Sequence, residues 1–184
     1  MEFKALDIAG VVLVTPRVFE DARGWFMESY SEREFATQGI SVHFVQDNHS
    51  QSKKGVLRGL HFQKNPHAQD KLVRIIRGEV LDVVVDLRVG SPTYRKWIGV
   101  PLSETNRNIL FIPKGCAHGF VTRSDHAELE YKVSDFYDAA CDGGIAWNDP
   151  EIGVDWGITD PVLSEKDAAL PTLKDAGSLF TYDA

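Results

Sequence analysis

Short strand-like segments dominate the hydrophobic pattern of the chain. In residues 80–88 the odd-numbered positions are all leucine or valine, whereas the even-numbered positions mix valine with aspartate and arginine. Such period-two alternation predicts a strand with the two sets on opposite faces. Segments of similar character, separated by Gly, Pro, Asn or Asp, cover residues 42–45, 56–62, 71–77, 97–100, 109–112, 119–122 and 127–133. This spacing is typical of an antiparallel sandwich or barrel.

Turn and capping residues predict the remaining elements. A strand over residues 10–16 ends at Pro16, and a turn separates it from a second strand over residues 24–30. Two short helices are predicted over residues 31–39 and 164–167, where a serine is followed three positions later by an acidic residue. Beyond the last strand the chain is irregular, polar and aromatic, which predicts a tail that packs over the mouth of a barrel.

The composition indicates a single globular domain. The chain has 184 residues and no linker-like stretch, so residues 1–184 are predicted to form one domain. Its 20 basic and 27 acidic residues give a net charge of −7, which disfavours binding to nucleic acid or to an anionic membrane. The sequence shows neither a transmembrane run nor a signal-peptide pattern. Only Cys116 and Cys141 are present, too few for a disulfide framework, and we predict a cytoplasmic protein.

Residues 46–71 gather an unusual variety of polar side chains. The segment 56–62 has the β-branched and aromatic content of a buried strand, yet it carries Arg58 and His61. Such groups are costly in a buried strand without polar partners, so we interpret this strand as one wall of a binding site. Arg58 and His61 are three positions apart, and an ideal strand would direct them to opposite faces. Either a bulge near Gly59 or a site completed by a partner subunit would reconcile them.

Residues 112–118 contain the pattern Pro-x-Gly-x-x-His at the end of a strand. The pattern resembles the second motif of the cupin superfamily, and this implies a mainly β, double-sheet antiparallel jelly roll with a few short helices. Metal-binding cupins also supply a His-x-His pair, whereas the earlier strand here offers only His61. We therefore predict no metal site, because one metal ion needs three or four converging ligands. Taken alone, His118 also fits a structural histidine that hydrogen-bonds a turn.

Several ordered blocks extend the resemblance to one family. The blocks are residues 44–50, 55–63, 69–74, 85–88, 91–93, 112–120 and 144–150. Together they strongly resemble the dTDP-4-dehydrorhamnose 3,5-epimerase family, from about residue 10 to residue 167. The resemblance implies a homodimer that uses no cofactor and no metal. It also implies a dTDP-sugar substrate, dTDP-4-dehydro-6-deoxy-D-glucose, and the product dTDP-4-dehydro-L-rhamnose, on the route to dTDP-L-rhamnose.

The residues that the resemblance implies for catalysis suit this conversion. A ketone at C4 acidifies the hydrogens on C3 and C5, because the carbanion left by deprotonation delocalises onto the carbonyl oxygen. Inversion of either carbon then requires a base on one face of the sugar and an acid on the other. By resemblance His61 is the base, Asp167 orients it, and Tyr131 is the acid. Lys71 matches the cation that stabilises negative charge on the C4 oxygen. Tyr131 shares an apolar strand face with Leu129, which predicts that it points into the barrel.

The other implied site residues bind the substrate. By resemblance the diphosphate is held by Arg23, Gln46, Asn48 and Arg58. The nucleotide is contacted by Phe26, Glu28 and Tyr137, and the same pocket is lined by His118 and Lys166. Asp142 stands where the family has a longer acidic residue that contacts the nucleotide or the sugar.

Other functions fit parts of the pattern. A sister epimerase that inverts only C3 or only C5 would use the same residues. A metal-dependent cupin enzyme would need a second histidine in the earlier motif. A nucleotide-sugar-binding module without catalysis would not need His61, Lys71 and Tyr131 together.

Overall fold

The computed structural model describes residues 1–177 and 179–182, and most of its regular structure is β-strand. The strands are β1 (Glu2–Ala5), β2 (Val12–Thr15), β3 (Val18–Asp21), β4 (Gly24–Met27), β5 (Gln46–Lys53), β6 (Leu57–Gln63), β7 (Lys71–Arg77), β8 (Glu79–Asp86), β9 (Arg88–Val89), β10 (Trp97–Ser103), β11 (Ile109–Ile112), β12 (Cys116–Thr122), β13 (His126–Val133), β14 (Asp142–Gly144) and β15 (Phe180–Thr181). The helices are α1 (Glu32–Thr37), α2 (Glu165–Ala168) and α3 (Leu173–Ala176).

Two antiparallel sheets contain most of the strands. The six-stranded sheet has the order β1-β2-β11-β7-β13-β5, and the five-stranded sheet has the order β10-β8-β12-β6-β14. Strands β3 and β4 form a separate hairpin, and β15 pairs in parallel with β9. The predicted double-sheet antiparallel jelly roll with a few short helices is confirmed.

The alternation predicted for residues 80–88 is confirmed over residues 80–86, where both faces of β8 are buried; the strand ends at Asp86, and Arg88 begins β9. Val80 and Val84 lie in the core between the sheets, together with side chains such as Val73 and Leu110 of the six-stranded sheet. The odd-numbered residues 81–87 lie in a second apolar cluster on the outer face of the five-stranded sheet. The C-terminal region covers that face, with Ile145, Ile152, Trp156, Leu173 and Phe180. The prediction that the tail packs over the mouth of a barrel therefore holds only in part. Tyr137, Asp142 and Lys166 of the tail line the cavity described below, whereas most of its apolar side chains cover this outer face of the sheet, because they need an apolar surface to bury against.

The strand predicted over residues 42–45 is absent, and this prediction was wrong. The chain is irregular there, with Val42 and Phe44 packed in a cluster around Phe35, and the strand begins at Gln46 as β5. Strand β5 pairs with β13 along its whole length, although its sequence is almost entirely polar. Pairing with β13 overrides the weak strand propensity of these polar side chains. The predicted strands over residues 10–16 and 24–30 are present in shorter form as β2 and β4.

Both predicted helices are present and begin with the expected cap. The Ser31 side chain accepts a hydrogen bond from the Glu34 amide, and the Ser164 side chain accepts one from the Asp167 amide. Each cap satisfies an amide that has no partner within the first turn of its helix. The cap of α2 also matters for the site described below, because it holds Asp167.

A bulge in β6 brings Arg58 and His61 to the same side of the sheet. His61 lies opposite His118 on β12 and Arg58 lies opposite Phe120, so β6 has one residue more than β12 over this interval. The hypothesis of a bulge near Gly59 is confirmed. Gly59 has φ of +131°, and a Cβ added to it would lie 2.5 Å from the Cα of Gly119. Only glycine fits at this close approach of two backbones.

Replacing Gly59 by alanine is expected to lower the free energy of unfolding by about 3 kcal/mol or more, through the clash with Gly119 and the unfavourable φ. Denaturant titration of both proteins measures this difference. Gly90→Ala is the matched control, because Gly90 also has a positive φ but has no atom within 4 Å of an added Cβ. The control is expected to lose only about 1–2 kcal/mol. Equal losses in the two variants would contradict the role assigned to the close approach.

Candidate active site

A cavity of about 430 Å³ is lined by residues from both sheets. Strands β5, β7 and β13 of the six-stranded sheet and β6, β12 and β14 of the five-stranded sheet contribute to its walls. The sequence-predicted site residues that line it are Asn48, Arg58, His61, Lys71, His118, Tyr131, Tyr137, Asp142 and Lys166. Residues far apart in the sequence thus meet in one polar cavity.

His61 and Asp167 form a hydrogen-bonded pair at this cavity. The distance between His61 Nε2 and Asp167 Oδ1 is 2.5 Å, and the Asp167 side chain is only 5% exposed. Ser164 Oγ donates to Asp167 Oδ2 at 2.9 Å, so the residue that caps α2 also orients the carboxylate. Burial alone would raise the pKa of Asp167, but the hydrogen bond and charge of His61 hold it below the usual value. The ionised carboxylate accepts from Nε2, which leaves Nδ1 as the basic nitrogen of the ring.

Lys71 lies at the start of β7 and is almost completely buried. Its Nζ donates to the backbone carbonyl of His61 at 3.4 Å, which places the cation beside the histidine. Burial disfavours the charged form and lowers the pKa of Lys71 to about 8, although the carboxylates of Asp82 and Asp142 oppose this change. Below pH 8 the cavity therefore contains a poorly solvated positive charge.

Tyr131 projects into the cavity from β13, on the sheet opposite to the one that carries His61. It packs against the core between the sheets, as predicted from the apolar face that it shares with Leu129. Burial raises the pKa of Tyr131, although the Arg58 guanidinium partly opposes this effect. The phenol therefore keeps its proton at neutral pH and is suited to donate it.

His118, which lines the cavity, forms a second histidine–aspartate pair. His118 Nε2 and Asp82 Oδ2 are 2.8 Å apart, and both side chains are buried. The predicted hydrogen bond from His118 to a turn is wrong, because its partner is a carboxylate from the middle of β8. Within residues 1–177 and 179–182, Asp82 Oδ1 has no hydrogen-bond partner. The structure thus places a negative charge near Lys71, and this charge supports protonation of the lysine.

Sequence reasoning placed Asp82 in the alternating strand but assigned it no role. The available signal was a carboxylate at an inward position between Val80 and Val84, where an inert core would have an apolar side chain. Gln63 and Gln69 were also overlooked as individual residues, although they lie within recognised blocks and line the cavity.

Arg58 and Asn48 form the polar end of the cavity, and Gln46, which does not line the cavity itself, contacts Asn48. Arg58 donates to Ser52 Oγ at 2.9 Å and to the Gln51 carbonyl at 3.1 Å, and these bonds fix its guanidinium against β5. Gln46 Nε2 donates to Asn48 Oδ1 at 2.9 Å. A fixed guanidinium with neighbouring amide groups is suited to bind an anion such as a diphosphate.

The rim of the cavity is formed by Tyr137, Asp142 and Lys166. Lys166 Nζ pairs with Asp142 Oδ2, and the Tyr137 hydroxyl donates to the same oxygen at 3.3 Å. Lys166 immediately precedes Asp167, so this contact also connects α2 to β14. Asp142 is thus part of the rim despite having a shorter side chain than glutamate.

The residues Arg23, Phe26 and Glu28 do not line this cavity. Arg23 and Phe26 lie on the β3–β4 hairpin, where the Arg23 side chain is 90% exposed and pairs with Asp21 at 2.6 Å. Glu28, just after the hairpin, is exposed. The structure of one chain therefore does not bring these residues to the other predicted site residues.

Neither a metal-ligand cluster nor a membrane-spanning helix is found in the part of the chain that the structure describes. Residues 1–177 and 179–182 contain no group of three or more His, Cys, Asp and Glu side chains that could hold a metal ion. No helix in the same part of the chain has the length and apolar character needed to cross a membrane.

Comparison with known proteins adds independent information. Residues 5–175 match the family described as dTDP-4-dehydrorhamnose 3,5-epimerase. A Salmonella typhimurium protein of that name is 53% identical over 171 residues, which cover 92% of this chain and 93% of the relative. A Streptomyces niveus protein named dTDP-4-dehydrorhamnose 3-epimerase is 42% identical, over 99% of this chain and 90% of the relative.

A solved structure from Legionella pneumophila has the same architecture. It is a dTDP-6-deoxy-D-glucose-3,5-epimerase in complex with dTDP-4-keto-L-rhamnose, with 43% sequence identity and a TM-score of 0.94. The superposition covers 100% of this chain and 99% of the Legionella chain.

Proposed function

Because the chain belongs to the dTDP-4-dehydrorhamnose 3,5-epimerase family, we propose that it inverts C3 and C5 of dTDP-4-dehydro-6-deoxy-D-glucose to give dTDP-4-dehydro-L-rhamnose. One observation carries the proposal. His61, which is paired with Asp167 of α2, and Tyr131 lie on opposite sheets of one cavity, with the buried Lys71 beside His61. A flat enolate between the two sheets would have a base on one face and an acid on the other.

The proposed reaction begins when His61 Nδ1 removes the proton from C3 or C5. Asp167 stabilises the imidazolium that forms, because its carboxylate accepts from Nε2 at 2.5 Å. The electron pair of the broken C–H bond moves onto the C4 oxygen, where the Lys71 ammonium stabilises the negative charge. Tyr131 then donates its proton to the opposite face, and the carbon is inverted. His61 then releases its proton to solvent and the Tyr131 phenolate regains one, so that repetition at the second carbon completes the conversion. No step changes the net oxidation state, so no redox cofactor is assigned. Lys71 supplies the positive charge at the C4 oxygen, so no metal is assigned.

Substrate binding is assigned to the polar end and the rim of the cavity. Arg58, Gln46 and Asn48 bind the diphosphate, and Tyr137 packs against the thymine ring. His118, Asp142 and Lys166 line the sugar and nucleotide pocket. We assign the whole chain to one cytoplasmic epimerase domain.

We further propose that the protein is a homodimer in which the β3–β4 hairpin completes the partner's site. The hairpin is separate from both large sheets and exposes Phe19, Trp25 and Phe26, with 51%, 55% and 68% of their surface accessible. Exposed aromatic side chains in one small element are typical of an interface. A second copy packed there would allow Arg23, Phe26 and Glu28 to contact the nucleotide, which they do not reach in their own chain.

Subunit complementation tests this arrangement. Coexpression of His61→Ala with the double variant Arg23→Ala/Phe26→Ala is expected to restore about a quarter of the wild-type activity, because half of a random mixture is heterodimer with one intact site each. Each variant alone is expected to be nearly inactive. The matched control pairs His61→Ala with Tyr131→Phe, whose defects lie in the same cavity, and it is expected to restore nothing. Equal recovery in both mixtures, or in neither, contradicts the shared site.

Solvent exchange tests the reaction itself. The protein is incubated with dTDP-4-dehydro-6-deoxy-D-glucose in D2O, and deuterium at C3 and C5 is followed by NMR. Proton removal followed by return from solvent-exchanged groups is expected to introduce deuterium at both carbons. No exchange at either carbon would overturn the proposed function.

A sister activity is the second candidate, because the Streptomyces niveus relative has the name of a 3-epimerase. The same experiment separates the two activities. Inversion and deuterium confined to one carbon would assign the protein to the sister activity.

A further inference from the structure

The loop of residues 134–141 holds Tyr137 at the mouth of the cavity, although the loop belongs to neither sheet. Tyr137 is 60% exposed. An exposed aromatic side chain on an irregular loop is ordinarily free to adopt several orientations. In this loop, however, backbone groups on both sides of Tyr137 are bound by buried or half-buried glutamine side chains.

Gln63 is the central residue of this arrangement. Its Oε1 accepts from the Asp138 amide at 2.7 Å, and its Nε2 donates to the Phe136 carbonyl at 3.1 Å and to the His67 carbonyl at 2.7 Å. Gln63 is 5% exposed, so these bonds have little competition from water. Its amide therefore binds the backbone immediately before and immediately after Tyr137. An amide side chain suits this task because it presents a donor and an acceptor, as a peptide group does.

Two further glutamines hold the same loop, one in the segment just before β7 and one on β5. Gln69, which lies just before β7, donates from Nε2 to the Asp135 carbonyl at 2.7 Å. Gln46 Oε1, on β5, accepts from the Tyr137 amide at 3.3 Å. The loop is thus tied to elements of both sheets, and the Tyr137 hydroxyl is held in turn by Asp142.

We propose that Gln63 is a positioning residue that holds Tyr137 as a preformed platform for the planar base of the nucleotide substrate. The inference rests on the proposed function, in which Tyr137 packs against that base. A platform that is ordered before the ligand arrives avoids the loss of loop entropy on binding, and so strengthens binding. Gln63 acts through Tyr137 and takes no part in proton transfer. Its effect therefore falls on affinity and KM rather than on kcat.

Gln63→Met tests the proposal, because methionine keeps the length of the side chain but cannot make these hydrogen bonds. Titration calorimetry with dTDP is expected to show affinity reduced roughly tenfold, with KM for the sugar substrate raised by a similar factor and kcat within about threefold. Gln63→Glu keeps an oxygen that can accept from the Asp138 amide, but its second carboxylate oxygen cannot donate to the carbonyls of Phe136 and His67. This variant is expected to bind dTDP no better than Gln63→Met. The control Gln38→Met, on an exposed glutamine outside the cavity, is expected to match wild type.

A double-mutant cycle with Tyr137→Ala separates positioning from a general loss of structure. If Gln63 acts through Tyr137, adding Gln63→Met to Tyr137→Ala weakens dTDP binding by no more than about twofold. A full additional tenfold loss in that background, or wild-type affinity in the single Gln63→Met variant, overturns the inference. Should Gln63→Met fail to fold, Gln69→Met is the substitute, because it removes only the bond to Asp135. It is expected to lower dTDP affinity by less than Gln63→Met would. Unchanged dTDP affinity in Gln69→Met overturns the inference.

The outcomes also distinguish this inference from the proposed function. Wild-type protein that neither binds dTDP nor exchanges deuterium would overturn the proposed function, and this inference with it. Wild-type protein that does both, beside a Gln63→Met variant of equal affinity, would overturn this inference alone.

Discussion

His61→Ala is expected to lower kcat roughly 10²–10⁴-fold, the range typical for loss of a positioned general base. The imidazole is the basic group held by Asp167 in the cavity, and alanine leaves no group there to remove the proton from C3 or C5. Binding of dTDP is expected to persist, because Arg58 and the rim residues are unchanged. Turnover and deuterium entry measure the loss of proton removal, and dTDP affinity measures whether binding persists.

Two further variants sharpen this result. His43→Ala removes an exposed histidine outside the cavity and is expected to leave kcat unchanged. Tyr131→Phe removes the proposed acid but leaves His61 as the base. His61 can then return a deuteron to the same face of the carbon, so deuterium is expected to enter without inversion. The assigned base is wrong if His61→Ala keeps half of the wild-type turnover.

Lys71→Met is expected to lower kcat roughly 10²–10³-fold, the range measured when a donor to a developing oxyanion is removed. Methionine has a similar length but has no charge to stabilise the oxygen at C4. The variant also tests the pH dependence. Burial lowers the pKa of Lys71 to about 8, so wild-type activity is expected to fall as the pH rises through about 8. The residual activity of Lys71→Met is expected to lack this decline, and a decline at the same pH in both proteins would contradict the assignment.

Stability provides an independent measurement on the same variant. Because folding lowers the pKa of Lys71 from 10.5 to about 8, the charged lysine destabilises the fold, by an amount on the order of 3 kcal/mol. This cost is fully present below pH 8 and disappears as the pH rises towards 10.5. Lys71→Met is therefore expected to be more stable than wild type at pH 7, and the difference is expected to shrink above pH 8. A variant less stable than wild type at pH 7 would show that the ammonium is better solvated than its burial indicates.

Local patterns were sufficient for several elements of the fold. The period of residues 80–88 predicted the two faces of β8, and the cap residues Ser31 and Ser164 predicted the starts of α1 and α2. These features depend on neighbours within one strand or one helical turn, so they are visible in a short stretch of sequence. The spacing of Arg58 and His61 predicted either a bulge near Gly59 or a site completed by a partner subunit, and the structure contains the bulge.

Other elements depended on distant partners. Strand β5 has few strand-forming residues and exists because β13 pairs with it, while the better strand candidate, residues 42–45, packs as irregular chain against Phe35. The tail covers the outer face of the five-stranded sheet, and nothing in its own pattern distinguishes that face from the mouth of a barrel.

The residue types of the site were determined by the sequence alone: an imidazole, a lysine, a phenol and carboxylates in blocks that resemble one enzyme family. Only the tertiary structure decided which of them meet. It brought Asp167 to His61 across 106 positions, added Asp82 behind His118, and left Arg23, Phe26 and Glu28 outside the cavity. The physical reason is that proton transfer depends on distances of about 3 Å between side chains. Such distances are set by the packing of the two sheets and the docking of the tail, and these contacts join residues that no local pattern relates.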